Sequence, residues 1–284
     1  MNHQLNSPCP VIMTIGGFDP SAGAGIAADL KTFSAHNCYG VAALTALTVQ
    51  NSQGATAVFP TDSRVLKASI QALLEDGRVK AFKIGMLANQ ANAQVVCEVL
   101  ESNPSLLAVL DPVIRSSTGL ELLDAAGVEV LRQRLLGRVS VVTPNLAEAA
   151  ALTGLQVDNL GTMKAAARKL VEMGARAAIV TGGHLDKPSD VLFDGSELET
   201  FVGDRMKPDN THGTGCTFAS ALAANLVLGR QLSDAIVLAK AFVTEAIRKA
   251  FPIGPGRVPL NHLYRMAASP RVTDHSSAIP EPVH

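Results

Sequence analysis

The chain of 284 residues is short of charge, of basic clusters, of cysteine pairs and of long apolar runs. Each shortage excludes something. Only 17% of the residues are charged and the net charge is -1, which argues against nucleic acid or an anionic membrane surface as the main partner. Any affinity for phosphate therefore has to come from a local site. The four cysteines, Cys9, Cys38, Cys97 and Cys216, show no C-x-x-C spacing. That pattern rules out the common zinc and dithiol motifs and fits reduced thiols. No Lys or Arg precedes Lys31, and the apolar run from Val11 to Ile15 is cut by Gly16 and Gly17, so no secretory signal is legible. No apolar stretch approaches the ~18 residues that a membrane helix needs. Internal repeats and long polar linkers are also missing. The expectation is a soluble, cytoplasmic protein without nucleic-acid or membrane partners.

What is present is a large core-forming fraction, 47% hydrophobic, arranged as alternating short apolar runs and helix-like segments. Strands are expected at Val11 to Ile15, Val41 to Leu47, Ala55 to Phe59, Ala81 to Ile84, Leu106 to Leu110, Val139 to Val142 and Ala177 to Val180. A hairpin is expected at Val191 to Phe193 and Leu198 to Val202. Helical spacing covers Ile26 to Ala35, Arg64 to Leu74, Ala91 to Leu100, Ala125 to Leu136, Leu146 to Leu152, Met163 to Met173, Thr217 to Leu228 and Ser233 to Lys249. Thr48 to Gly54 reads as a polar connection. Such alternation predicts an α/β fold with a mostly parallel central sheet and helices on both faces. We expect one domain over residues 9–268, with flexible termini at 1–8 and 269–284.

In such sheets ligands bind at the carboxyl ends of the strands. The polar punctuation falls there, at Gly17, Gly85, Asp111, Asn145 and Gly182. The densest motif is Asn210-Thr211-His212-Gly213-Thr214-Gly215-Cys216, directly before a helix. A helix N-terminus presents unpaired N–H groups and roughly half a positive charge, and glycine lets a ligand come close. The motif is a candidate anion cradle, the alternative being a glycine turn before a core helix. Cys216 lies where the helix terminus and its dipoles should lower a thiol pKa, giving a candidate proton acceptor; a small buried residue is the plain alternative. Asp29, inside the first helix, is a candidate acceptor for a ligand amine or else an exposed neighbour of Lys31. Gln50-Asn51 offers an amide that donates and accepts, suited to a nitrogen heterocycle. Met86 supplies an apolar wall or simply core. Asp111, and Glu148 one turn beyond Asn145, are candidate magnesium ligands beside phosphates, with Asn145 also a helix cap. Thr181-Gly182-Gly183-His184 is a second turn with N–H groups for nucleotide phosphates.

These blocks, taken in order from about Val11 to His262, resemble the hydroxymethylpyrimidine/phosphomethylpyrimidine kinases of thiamine biosynthesis, in the ribokinase-like superfamily. The resemblance rests on Asp19-Pro20-Ser21 through Gly25, Ala28 to Ala35, Gln50-Asn51, Lys83 to Leu87, Asp111-Pro112-Val113, Thr143 to Leu146 with Glu148, Gly182-Gly183-His184, and Asn210 to Cys216. It implies a three-layer α/β/α fold and ATP-dependent phosphorylation of 4-amino-5-hydroxymethyl-2-methylpyrimidine and then of its monophosphate. It implies that Gln50 and Asp29 read the pyrimidine, with Gly17, Met86 and Val113 around it. Gly213, Thr214 and Gly215 would form the anion hole, with Cys216 where sugar kinases of the superfamily have an aspartate base. Asn145, Thr181, Gly183 and Thr211 would face the nucleotide phosphates, and Glu148 and Asp111 magnesium. Thr181 stands where the family usually has lysine. Adenine would lie nearer the C-terminal helices. A homodimer is implied, with Gln53 to Phe59 and the adjoining strand as its edge. Pyridoxal/pyridoxine kinase, or a non-catalytic pyrimidine or nucleotide sensor, are the competing functions. A dinucleotide-dependent dehydrogenase is disfavoured because the first loop has Ala28 where G-x-G-x-x-G needs glycine.

Overall fold

The short apolar runs assemble into one nine-stranded sheet in a computed structural model that describes residues 9–116, 118–183, 185, 187–207 and 211–266. The termini expected to be flexible, and Ser117, His184 and Asn210 of the motifs, lie outside these described residues. The strands are β1 (Val11–Phe18), β2 (Tyr39–Asn51), β3 (Gly54–Pro60), β4 (Val79–Ile84), β5 (Leu107–Leu110), β6 (Val141–Val142), β7 (Ala177–Gly182), β8 (Ser189–Phe193) and β9 (Leu198–Val202). Their order is β3-β2-β1-β4-β5-β6-β7-β8-β9. The pairs from β2 through β7 are parallel, and β3 and β8 run antiparallel to their neighbours. The expected mostly parallel sheet and the hairpin are both present.

Successive residues of a strand point to opposite faces, so each parallel strand feeds two cores. Met13, Ile15, Phe82, Ile84, Ala178 and Val180 meet one set of helices: α2 (Ser63–Glu75), α3 (Gln90–Ser102), α4 (Ala125–Val130), α5 (Leu146–Thr153) and α6 (Leu160–Glu172). Ile12, Ala81, Val109, Ala177 and Ile179 face the other set: α1 (Gly25–Ala35), α7 (Thr214–Val227) and α8 (Leu232–Arg248). This is a three-layer α/β/α arrangement. Helix α7 is buried on every side from Thr217 to Asn225, because it lies between the sheet, α1 and α8. A helix so placed has to be apolar or small all round, which is why its periodicity is weak.

Three local expectations change. Thr48 to Asn51 is not a connection: it continues β2, because Gln50 pairs with Ala55 and Asn51 with Gly54 across a tight antiparallel turn. The helix expected over Ala125 to Leu136 is regular only to Val130, then widens to a π-turn over Leu131–Leu135 and tightens to a 3-10 turn over Leu136–Arg138. Helix α7 starts at Thr214, three residues before the apolar period begins, so Gly213 is its N-cap and the glycine motif is its first turn. Among the described residues no helix is long and apolar enough to cross a membrane.

Phe242 anchors the α8 side of the core. It is fully buried, with its ring 4.5 Å from that of His36 and 5.3 Å from that of Tyr264. Truncation there leaves a cavity in a close-packed layer. Phe242→Ala is expected to lower the unfolding free energy by about 3–5 kcal/mol, read as a reduced urea midpoint at unchanged slope; a change under about 1 kcal/mol would show that this layer does not carry the stability assigned to it.

Candidate active site

Two glycine loops far apart in sequence meet backbone to backbone at the carboxyl ends of the strands. The first follows β1 and opens α1; the second opens α7. Gly25 has φ +59°, and a Cβ there would lie 2.3 Å from the carbonyl oxygen of Gly17. Gly213 has φ +88°, and a Cβ there would lie 1.8 Å from the carbonyl oxygen of Gly23. Only glycine meets both conditions at once, left-handed backbone and contact with another main chain. Asp19 fastens the loops side by side. Its carboxylate accepts from the Ser21 N–H at 2.8 Å, the Ser21 hydroxyl at 2.7 Å, the Gly23 N–H at 3.1 Å and the Ala24 N–H at 2.9 Å. Its Oδ2 lies 3.0 Å from Nε2 of His212 in the second loop. Burial alone would raise this carboxyl, but the hydrogen bonds from His212, Ser21 and Ala24 hold it below its usual value. Thr211–His212 (β10) also pairs in parallel with Val258–Pro259 (β11), which ties the second loop to the C-terminal segment.

Beneath the loops lies a buried charge cluster. Lys83 on β4 is fully buried, 3.0 Å from Asp29 on α1 and 3.6 Å from Asp111 after β5. Asp29 also accepts from Thr14 of β1 at 2.6 Å and from Ser220 of α7 at 2.7 Å. Asp29 is buried and its oxygens already serve Thr14, Ser220 and Lys83, so in this structure it is an internal partner of Lys83 at the floor of the cavity. Burial would lower the Lys83 ammonium, yet Asp29 foremost, with Cys216 and Asp111, holds it above the ordinary lysine range.

Cys216 needs a correction. The helix terminus was expected to lower its thiol. Burial instead raises it well above an ordinary thiol; Lys83 and the Gly25 N–H pull it down, while Asp111 and Asp29 push it up. Burial, with the two carboxylates added to it, outweighs Lys83 and the helix terminus, and the thiol is held toward its protonated form in the ligand-free protein.

A cavity of about 860 Å³ opens above this cluster. At one end are Gly17, Thr48, Gln50, Met86 and Val113; at the other are Asn145, Glu148, Thr181, Gly183, Phe218 and Val243. Asp111, Thr211 and Gly213 to Cys216 line the same cavity. Every site residue expected from the sequence thus borders one space, whatever role each has. Asn145 caps α5 in a reciprocal box: its side chain accepts from the Glu148 N–H at 3.0 Å, and Glu148 accepts from the Asn145 N–H at 2.9 Å. The N–H groups of Thr181 and Gly182 are already used, by Pro144 at 2.8 Å and by Asp190 at 3.1 Å, which leaves Gly183 as the exposed member of that turn.

The carboxylates Asp111 and Glu148 fit a divalent cation shared with phosphates. Asp111 Oδ2 is buried without a hydrogen-bond partner. Glu148 is pushed up to about 8 by burial and then by Asp111, so two carboxyls face one another short of positive charge. No group of three or more His, Cys, Asp or Glu side chains around one point occurs among the described residues.

Sequence reasoning missed several cavity residues. Lys83 was legible in principle, as a lone cation in an apolar parallel strand, which has to be paired. Asp19 and His212 sat in motifs already singled out but carried no role. Phe218, Val243 and Ile247, at the far end, gave no signal: on α7 and α8 they look like core, and Lys240 looks like an ordinary surface lysine.

Comparison with known proteins gives this cavity its relatives. A family model described as phosphomethylpyrimidine kinase matches residues 19–261. A hydroxymethylpyrimidine/phosphomethylpyrimidine kinase of Aquifex aeolicus is 42% identical over 248 residues, covering 87% of this chain and 97% of that protein. The chain belongs to the phosphomethylpyrimidine kinase family. Among solved structures, a phosphomethylpyrimidine kinase from Clostridium difficile superposes with TM-score 0.75 at 34% identity, covering 84% of this chain and all of that one. A Staphylococcus aureus pyridoxal kinase in complex with AMP-PCP and pyridoxal gives 0.83 at 33% identity, covering 91% and 96%. The ribokinase-like fold expected of the phosphomethylpyrimidine kinases is thus the fold observed.

The cradle has a support specific to this geometry. Thr217 donates to the Gly213 carbonyl at 2.8 Å and must therefore accept from His262 Nε2, 2.9 Å away. Burial pushes His262 down to about 4 from 6.5. Its folded pKa is depressed, so the native state resists protonation that the unfolded chain accepts. The unfolded state binds more protons between pH 6.5 and 4, and stability falls as pH falls through that window. His262→Gln is expected to flatten this acid limb of stability against pH, measured by denaturation at several pH values; an unchanged slope would show that His262 does not titrate as described.

Proposed function

We propose that this protein transfers the γ-phosphate of ATP to the hydroxymethyl group of 4-amino-5-hydroxymethyl-2-methylpyrimidine, and then phosphorylates the monophosphate to the diphosphate, in thiamine biosynthesis in the cytoplasm. One observation carries the reading. A glycine cradle with Cys216 beside it borders the same cavity as Gln50 and as the Asn145–Glu148 pair. Phosphoryl transfer asks mainly for positioning and charge stabilisation, and this cavity brings the required groups together.

In this reading the pyrimidine lies between Gly17, Met86 and Val113 with its polar edge on Gln50. The N–H groups of Gly213, Thr214 and Gly215 receive the charge that develops on the travelling phosphoryl group. Asn145, Thr211 and Gly183 face the nucleotide phosphates. Asp111 and Glu148 would hold magnesium, whose charge would offset that of the phosphates. Thr181 contributes no charge; Lys240, ion-paired with Asp190, which stands opposite Thr181 in the sheet, and Arg205 both line the cavity and carry positive charge. Adenine has the apolar end, with Phe218, Val243 and Ile247. The hydroxyl oxygen attacks phosphorus as the bond to the β-phosphate breaks, and the hydroxyl proton passes to Cys216. Because the thiol is protonated in the free protein, it must release that proton to solvent as the site fills, before it takes the hydroxyl proton. The pyridoxal kinase neighbours support a second reading, transfer to pyridoxal at the same place. A sensor without catalysis is the third, kept open by Thr181.

The surface supports a homodimer. Leu47, Val49 and Phe59 are 50%, 52% and 61% exposed, and Leu47 sits opposite Phe59 in the β2–β3 register. A second copy covering this apolar extension is expected. Sedimentation at micromolar concentration should give a dimer that Phe59→Asp splits into monomers; a wild-type monomer would refute it.

For the activity itself, the protein is incubated with ATP, magnesium and each heterocycle, and products are identified by mass. Pyrimidine mono- and diphosphate are expected, and pyridoxal phosphate alone would favour the second reading. Binding without product would favour the sensor. Cys216→Ala should lower turnover about 100-fold or more and leave ATP binding in place; unchanged turnover would remove Cys216 from the acceptor role.

A further inference from the structure

The amide of Gln50 sits among donors and acceptors that allow it one consistent orientation. Asp19 is 3% exposed and accepts hydrogen bonds from two N–H groups and the hydroxyl within 2.9 Å. A carboxylate supplied in this way acts only as an acceptor. His212 Nε2 lies 3.0 Å from its Oδ2, so that ring nitrogen carries the proton, whether the imidazole is neutral or charged. The same Nε2 is 2.8 Å from the terminus of Gln50. With the amide nitrogen turned that way, two N–H groups would face each other. A half-turn of the amide exchanges oxygen for nitrogen at no cost in shape. It brings the carbonyl oxygen to the His212 N–H. The NH2 then faces Thr48 Oγ1, 3.2 Å from the other end of the amide. The Thr48 hydroxyl proton already goes to the Phe18 carbonyl at 2.9 Å, and its lone pairs are free to accept. The single Nε2 proton of His212 is then shared between Asp19 and the Gln50 carbonyl, and no two donors face each other.

We propose that the Asp19–His212 pair is a specificity-determining element: it holds the Gln50 carbonyl toward the Gly213 cradle, and so selects a heterocycle with a hydrogen-bond donor beside its hydroxymethyl group. The inference rests on the reading of Gln50 as the residue that meets the heterocycle. His212 directly precedes Gly213, so the amide end nearest the cradle is the acceptor and the end nearest Thr48 is a donor. A hydroxymethyl group aimed at the cradle brings its ring neighbour to that acceptor. In the aminopyrimidine the neighbour is an amino group, followed by a ring nitrogen that takes the amide N–H. In pyridoxal it is an aldehyde, and acceptor would meet acceptor. His212 is a positioning residue here: it acts through Gln50.

The test compares aminopyrimidine and pyridoxal as phosphate acceptors at saturating ATP. His212→Ala frees the amide to turn. The ratio of kcat/KM for the pyrimidine over that for pyridoxal should fall about tenfold, the worth of one mispaired hydrogen bond, with KM for ATP unchanged. An equal loss on both substrates, or an unchanged ratio, overturns the proposal. A second measurement does not depend on the variant folding. Nitrogen-15 spectra of the wild-type protein labelled in its histidine rings should show the His212 proton on Nε2; a bare Nε2 overturns the proposal. If wild-type protein phosphorylates neither heterocycle, the functional reading fails, and the spectrum still decides the orientation.

Discussion

The ion pair of Lys83 with Asp29 is the interaction on which the site depends. Neither side chain reaches solvent, and Asp111 stands 3.6 Å from the same ammonium. A buried pair contributes little net stability against an apolar substitute, because desolvation offsets attraction. Removing one member, however, leaves an uncompensated charge. The pair therefore does more to fix positions than to hold the fold together. Lys83 comes from the sheet, Asp29 from α1, and Ser220, which bonds Asp29, from α7. The two helices that open behind the glycine loops, α1 and α7, are locked to β4 just below the cavity, with Asp111 at the end of β5 beside them.

This cluster also sets the electrostatics above it. Two carboxylates and a thiol share one ammonium. Burial first, and then the neighbouring carboxylates, push the thiol, Asp111 and Glu148 toward their protonated forms. The ligand-free site is thus short of positive charge on the side where phosphates and their cation would enter. An acceptor for the hydroxyl proton is not waiting in place. It depends on what else is bound.

Much of this was legible in the sequence. The alternation of apolar runs and helical periods gives the sheet and its layers, because each face of each strand must find an apolar partner. The polar residues at strand ends give the site, because a parallel sheet exposes ligand-binding N–H groups there and nowhere else. What stayed hidden has physical causes. Asn51 and Gln50 look like loop residues, and only pairing with β3 makes them strand. Thr214 to Cys216 look like loop residues as well, since small side chains carry no period. That Asp29 is the partner of Lys83 shows only in the fold, because the two stand 54 residues apart in the chain. The far end of the cavity is built from α7 and α8 side chains whose apolar character is equally suited to core, and no spacing tells the two uses apart. Family resemblance supplied the substrate, which residue patterns alone left open.

The contact between Gly23 and Gly213 has a bearing on how the protein comes to be active during synthesis. The two glycines are separated by most of the sheet, and β10 in turn pairs with residues 258 and 259. Strands β1 to β9 all precede the second loop, so a growing chain can complete its sheet before the cradle exists. Contacts so distant along the chain close late. Competence for phosphoryl transfer is therefore the last property the chain acquires, and a product cut short after β9 would keep the sheet strands and the first loop with no cradle for a phosphate.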